Sequence, residues 1–177
     1  MVDYHYPVWR RIAFVVILVL ALSLVVVPPL AKGTVNVRVY SFSTPDTFVH
    51  IYLKLSQFEL HTVGFPHDSG WIVLKDNLPR LDIASRNSQL NPNSVLSSQI
   101  QSGRYDAIRL SISEATIFIG SLNNTVCTQC GPVEANATIS IPPGGFGDIL
   151  MVLGLDYSHL LTEPSAFSVK VLEVSSR

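Results

Sequence analysis

Residues Ile12 to Val27 form an apolar run broken only by Ser23, and no other feature limits the chain so strongly. A helix with no polar face cannot lie on the surface of a fold in water; it needs a core around it or a bilayer. Arg10 and Arg11 precede the run, and nothing positive follows until Lys32. That asymmetry keeps the N-terminus inside and sends the rest of the chain out. Trp9, with Tyr4 and Tyr6 nearby, suits an aromatic belt at headgroup level. As helix, the sixteen residues 12 to 27 would span about 24 Å, short of the roughly 30 Å hydrocarbon layer. Pro28-Pro29-Leu30-Ala31 is expected to extend the crossing only as a non-helical exit. A signal peptidase needs small residues in an A-x-A-like pattern. Pro29-Leu30-Ala31 fits that poorly, and Ala21-Leu22-Ser23 fits better although it lies inside the run. A retained transmembrane signal-anchor over 12–31 behind a cytoplasmic N-terminus of 1–11, and a cleaved signal peptide, both stay open. Membrane lipid is the first expected partner.

The remainder, residues 33–177, is long enough to bury roughly two thirds of its unfolded surface and to fold without staples. Formal net charge over the 177 residues is −1, with acids and bases scattered. No basic stripe or Lys/Arg run appears, so nucleic acid is excluded as a partner on electrostatic grounds.

Period-two alternation dominates this region. Val35, Val37 and Val39 alternate with Asn36, Arg38 and Tyr40, as in a strand with one buried face. Ser43-Thr44-Pro45-Asp46 reads as a turn. Val49, Ile51, Leu53 and Leu55 alternate before the apolar phase slips to Phe58 and Leu60, which places a bulge near Ser56-Gln57. Trp71 to Leu74 and Leu81 to Ala84 read as short strands. Asn87 to Ser98 is rich in Ser and Asn, with a helical turn conceivable over Val95 to Ile100. A second long, bent strand runs from Tyr105 to Ile119, changing phase after Glu114-Ala115. Val126 to Pro132 reads as a loop, Ile139 and Ile141 end a strand at Pro142-Pro143-Gly144-Gly145, and Ile149 to Leu155 and Phe167 to Val174 complete the set. About seven or eight strands without an amphipathic helix predict an all-β, antiparallel β-sandwich of immunoglobulin- or transthyretin-like kind, outside the cell, preceded by one N-terminal transmembrane helix.

Several segments resemble the family catalogued as domain of unknown function 4382, found on exported archaeal and bacterial proteins. The likeness runs through Gly33-Thr34-Val35-Asn36-Val37, Val49-His50-Ile51-Tyr52-Leu53, Ser69-Gly70-Trp71-Ile72-Val73-Leu74 and Leu81-Asp82-Ile83. Its best piece is Ser102-Gly103-Arg104-Tyr105-Asp106-Ala107-Ile108-Arg109-Leu110, and Leu153-Gly154-Leu155-Asp156-Tyr157 also agrees. It covers nearly all of Gly33 to Val174. The resemblance implies an extracytoplasmic β-sandwich and carries no catalytic residues with it. The cysteine segment is not a usual part of that pattern.

Cys127-Thr128-Gln129-Cys130 reads first as a disulfide, because exported chains meet an oxidising environment. Closing so short a loop contributes roughly 2 kcal/mol and would fix the tip between two strands. A redox pair would need a helix N-terminus beneath the first Cys, against which Gly131-Pro132 argue. A zinc site would need two further ligands. His50 falls on the polar phase of its strand. His61, His67, Asp68 and His159 could form a metal pocket, but no ligand spacing enforces it, and exposed loop histidines are the simpler reading. Asp156-Tyr157-Ser158-His159 holds the letters of a hydrolase triad, which cannot form from neighbours on one chain. Pro142-Pro143-Gly144-Gly145 lacks the Lys and helix of a phosphate cradle. Asn123-Asn124-Thr125 and Asn136-Ala137-Thr138 are glycosylation acceptors by pattern, at Asn123 and Asn136.

The reading is therefore a non-enzyme: no catalytic residue, no metal and no cofactor, with a structural or binding role toward a protein or glycan at the cell membrane. Three alternatives stand beside it: an accessory single-pass subunit of a membrane complex, a metal- or redox-active domain on the Cys127/Cys130 segment, and a strand-exchanging filament subunit.

Overall fold

The computed structural model describes residues 8–42, 49–84, 91–155 and 169–176. Helix α1 occupies Val8–Leu30. It continues through Pro28 and Pro29, which corrects the expectation of a non-helical exit. Proline's fixed φ lies within the helical range, and near a C-terminus only the last few ladder bonds are lost. Among the described residues, which leave out the side chains of Arg10, Arg11 and 23–30, no helix is long and apolar enough to cross a membrane.

Among the described residues nine strands follow, more than the seven or eight expected: β1 (Lys32–Phe42), β2 (Val49–Thr62), β3 (Trp71–Asp76), β4 (Arg80–Asp82), β5 (Asn93–Gln101), β6 (Gly103–Ile119), β7 (Leu122–Ile141), β8 (Phe146–Leu155) and β9 (Val169–Ser176). They form two sheets of a sandwich. The first has the order β5-β1-β8-β9; the second has the order β3-β2-β6-β7, with β4 also paired to β2. Pairing is antiparallel except between β1 and β8, which run parallel from Thr34↔Phe146 to Phe42↔Gly154. The all-antiparallel expectation is corrected at that one ladder.

The alternations place the core. Val35, Val37 and Val39 from β1, Ile51, Leu53, Phe58 and Leu60 from β2, Ile108 and Leu110 from β6, and Ile149, Met151 and Leu153 from β8 are at most 1% exposed and meet between the sheets. Truncating a fully buried Phe such as Phe58 to Ala costs roughly 3–5 kcal/mol. The anticipated bulge is present: β2 and β6 lose register between Leu55 and Gln57, and Ser56 Oγ donates to the Ser111 carbonyl at 3.2 Å.

Two segments differ from expectation. Val95 to Ile100 is not a helical turn but part of β5, whose Val95, Leu96 and Ile100 are buried. Its antiparallel ladder with β1 spans Lys32↔Gln101 to Val39↔Asn93 and satisfies the free edge of β1 that local turn chemistry ignores. Likewise 126–132 is not a loop. Strand β7 passes straight through it, because the long β6 offers ladder partners along its whole length.

The open seams of the sandwich are closed by side chains. Ser98 Oγ of β5 donates to the Leu74 carbonyl of β3 at 3.3 Å, and Ser176 Oγ of β9 donates to the Thr138 carbonyl of β7 at 2.7 Å. Edge strands so engaged are poor templates for further pairing. Gly33 meets the Pro142–Gly145 turn so closely that a Cβ there would stand 2.7 Å from the Pro142 carbonyl oxygen, which explains the absence of a side chain.

Candidate functional site

Alternation along β2, β3, β6 and β7 leaves one face of the second sheet outside the core. Polar and aromatic residues dominate it, with Val73 and Ala107 among them, and cross-strand pairing brings Glu59 opposite Arg109, Arg109 opposite Glu134, His61 opposite Trp71 and Ala107, and Ala107 opposite Asn136. The segment between β2 and β3 curls back over this end of the face. Thr62 N–H donates to the Gly70 carbonyl at 3.0 Å, and Val63 N–H donates to the Arg104 carbonyl at 3.1 Å. Gly70 holds φ at +81° and lies against Phe65, so a side chain there would be both strained and blocked.

Under this flap His61 is buried, with 5% of its side chain exposed. Its Nδ1 lies 2.5 Å from Asp106 Oδ1, and its Nε2 lies 3.1 Å from the Pro66 carbonyl oxygen. A carbonyl only accepts, so Nε2 carries a proton; a carboxylate at Nδ1 draws a second. Both contacts favour the imidazolium. The Asp106 hydrogen bond chiefly, then the Pro66 carbonyl, hold the His61 pKa above its ordinary value of 6.5, against an opposing effect of burial. The Pro66 carbonyl also accepts from Ser69 N–H at 2.9 Å and Ser69 Oγ at 3.3 Å.

Beside His61 the Trp71 ring lies 5.0 Å away, centroid to centroid, and its Nε1–H donates to the His67 carbonyl at 2.7 Å. The Arg109 guanidinium stacks 3.8 Å from the centre of the Trp71 ring. Its Nε donates to Glu134 Oε1 at 2.7 Å, and its Nη1 lies 3.5 Å from Glu59 Oε2. His67 Nε2 is 3.3 Å from the other Glu134 oxygen. An arginine so clamped presents a rigid polar surface. His61, Phe65, His67, Asp106, Ala107 and Asn136 line a hollow of about 300 Å³ at this place.

The far end of the same face carries a second group. His50 Nδ1 lies 2.8 Å from Asp82 Oδ2, Arg80 stacks 4.4 Å from the centre of the Tyr52 ring, and Phe118 meets Tyr52 edge-on at 5.3 Å.

Several sequence expectations now find their places. His50 is on the outer face as read. His61 is corrected: it is not an exposed loop residue but a buried one at the end of β2, because the flap folds over it. His61 and His67 do approach, with ring centroids 6.1 Å apart. Both His61 nitrogens are already engaged, and among the described residues no group of three or more His, Cys, Asp and Glu could hold a metal. His159, with Asp156, Tyr157 and Ser158, and the turn at 43–46 lie outside the described residues, as do Tyr4 and Tyr6. Cys127 and Cys130 lie at disulfide distance, with Cα atoms 5.5 Å apart. They do not fix a strand tip; they bracket a bulge within β7, where Ile112 pairs with Gly131 and Glu114 with Thr128, leaving Gln129 and Cys130 opposite Ser113 alone. Asn123 and Asn136 are both exposed on β7, opposite Phe118 and Ala107 on β6, at opposite ends of the same outer face.

Sequence reasoning missed Trp71, Asp106 and Arg109 as site residues. They lie in two of the segments that carry the family resemblance, around Ser69-Gly70-Trp71 and Gly103-Arg104-Tyr105, which read only as strand and turn pattern. Tyr105 itself is buried, and its hydroxyl donates to the Gln101 carbonyl at 2.6 Å across the one-residue crossover from β5 to β6; burial pushes its pKa up.

No curated protein matches the chain. Among solved structures it is similar to a crystal structure, at 1.67 Å resolution, of a protein from Bacteroides eggerthii assigned provisionally to cell adhesion, at 10% identity and a TM-score of 0.32. That alignment covers 82% of this chain and 55% of the other, so the chain spans about half of that protein's length. The model of the family described as domain of unknown function (DUF4382) matches residues 32–170, from the first residue of β1 into β9, and the chain belongs to that family.

Proposed function

We propose that this is a membrane-anchored surface protein, single-pass with the N-terminus inside, whose β-sandwich has a non-enzymatic structural or binding role outside the cell. The observation that carries the reading is α1. Its described large apolar side chains from Val8 to Leu22 are 49% to 72% exposed on all sides of the helix. Apolar surface on every side of a helix belongs in a core or a bilayer, and the chain's own core does not receive it. From Ile12 to Leu30 the helix runs nineteen residues without a charged side chain, about 28 Å, close to the thickness of the hydrocarbon layer.

The outer face of the second sheet supports the binding half. It offers rigid aromatic and arginine surfaces with carboxylates and an amide around a shallow hollow, which suits recognition of a protein or glycan more than chemistry. The filament alternative is weaker, because β1 is already paired on both sides, by β5 and by β8. Expression of the full chain followed by alkaline carbonate extraction and N-terminal sequencing tests the anchor. Retention in the pellet with residues upstream of Arg11 intact is expected; release of a soluble chain starting near Leu24 would overturn it. Stable co-purification with other membrane proteins would favour the accessory-subunit alternative.

A further inference from the structure

We propose that the end of the sandwich where α1 emerges is itself a membrane-contacting surface, seated on the outer leaflet through Val63, Phe146 and the Pro142–Gly145 turn. The inference rests on α1 being the anchor and goes beyond it: an anchored domain could equally stand clear of the bilayer on a flexible stalk.

The topology leaves no stalk. Ala31 alone separates the end of α1 from the start of β1, a step of about 3.5 Å. The residues level with that junction are fixed by backbone hydrogen bonds. Ser102 N–H donates to the Ala31 carbonyl at 2.8 Å, Gly144 N–H to the Lys32 carbonyl at 2.8 Å, and Thr34 N–H to the Gly145 carbonyl at 2.9 Å. Gly103 pairs with Ile141, and Arg104 receives Val63. One end of both sheets is thus pinned around the helix exit.

The interfacial layer outside the hydrocarbon is about 5–8 Å deep on each side. A rim tied to Ala31 and Lys32 falls inside it once the apolar run of α1 fills the hydrocarbon. The rim carries what that layer accepts. Phe146 is 70% exposed and Val63 is 48% exposed; Pro142 and Pro143 are exposed too, and the exposed Lys32 and Arg104 can reach lipid phosphates. Asp68 in the adjoining flap and Asp106, two residues beyond Arg104, are acidic residues near this end and are also exposed. The opposite end of the sandwich, at the β6–β7 turn, presents Leu122 at 72% exposure but has no such connection to α1. It serves as the internal control.

The test uses the full chain in phosphatidylcholine nanodiscs, with Trp9→Phe as the parent and either Phe146→Trp or Leu122→Trp added. Brominated lipids carrying bromine high on the acyl chain quench only nearby indoles, and Trp71 contributes equally to both. Carbonate extraction is run on the same proteins. The expected result is retention in the membrane, with several-fold stronger additional quenching for Phe146→Trp than for Leu122→Trp. Val63→Trp repeats the measurement should Phe146→Trp fail to fold. Retention with equal or no additional quenching at both ends overturns the seated rim and leaves the anchor standing; loss from the membrane overturns both.

Discussion

The two ends of the second sheet's outer face are built from the same parts and differ in depth. Each has a histidine on an aspartate and an arginine stacked on an aromatic ring: His61 with Asp106 and Arg109 on Trp71 at one end, His50 with Asp82 and Arg80 on Tyr52 at the other. His50 keeps half of its side chain in water, whereas His61 keeps 5%. The difference comes from the flap over 63–70, which adds a carbonyl acceptor and removes solvent. Identical residue pairs therefore differ in consequence. An exposed ion pair is worth little because water and salt compete for both partners. A covered one holds the flap in place: losing Asp106 leaves the buried His61 Nδ1 without water to replace it, whereas Asp106, with 49% of its side chain exposed, stays hydrated when His61 is lost.

The strongest way to break this comparison is to remove each histidine in turn. His61→Ala is expected to cost roughly 2–3 kcal/mol, from the space left beneath the flap and the loss of the two hydrogen bonds to Asp106 and Pro66. Urea unfolding followed by circular dichroism reads it, and limited proteolysis should show new cleavage within 63–70. An equal cost for His50→Ala would end the argument that depth decides.

The next test is pH. Because the folded-state pKa of His61 is raised above 6.5, the contribution is fully present below the unfolded value and is lost as pH rises through the folded one. Stability should therefore decline as pH is taken upward from about 6.5, the ordinary histidine value, with the flap amides exchanging faster in the same window. Asp106→Asn should flatten that decline. A wild-type curve without slope above that pH would sink the assignment of His61 as imidazolium.

The smallest effect belongs to the open end. Asp82→Asn is expected to change stability by no more than about 0.5 kcal/mol and to respond to added salt. A larger loss would mean that the Tyr52 group is also shielded, as by a partner or a glycan on Asn123.

Much of this architecture was legible before folding, for identifiable reasons. The Val35–Val37–Val39 alternation, the slip at Ser56-Gln57 and the stop at Pro142-Pro143 are local signals, since a strand's face and a prolyl turn are written in adjacent residues. The site was less legible because its members are far apart in sequence. His61 meets Asp106 and Pro66, and Arg109 meets Trp71 and Glu134, only after β2, β3, β6 and β7 align. A two-residue period says which face a side chain takes and nothing about its neighbour on the next strand.

By itself, the sequence determined that an apolar helix precedes a β region, which positions form the core, and that two cysteines three apart can reach each other. Tertiary structure alone decided that β1 runs parallel to β8, that 93–101 is a strand, and that β7 carries the cysteines across a bulge instead of around a turn. It also decided that His61 is covered while His50 is not. The physical reason is common to all four: each depends on which strand supplies the facing hydrogen bonds and which segment excludes water, and both are set by contacts between residues that the chain itself keeps apart.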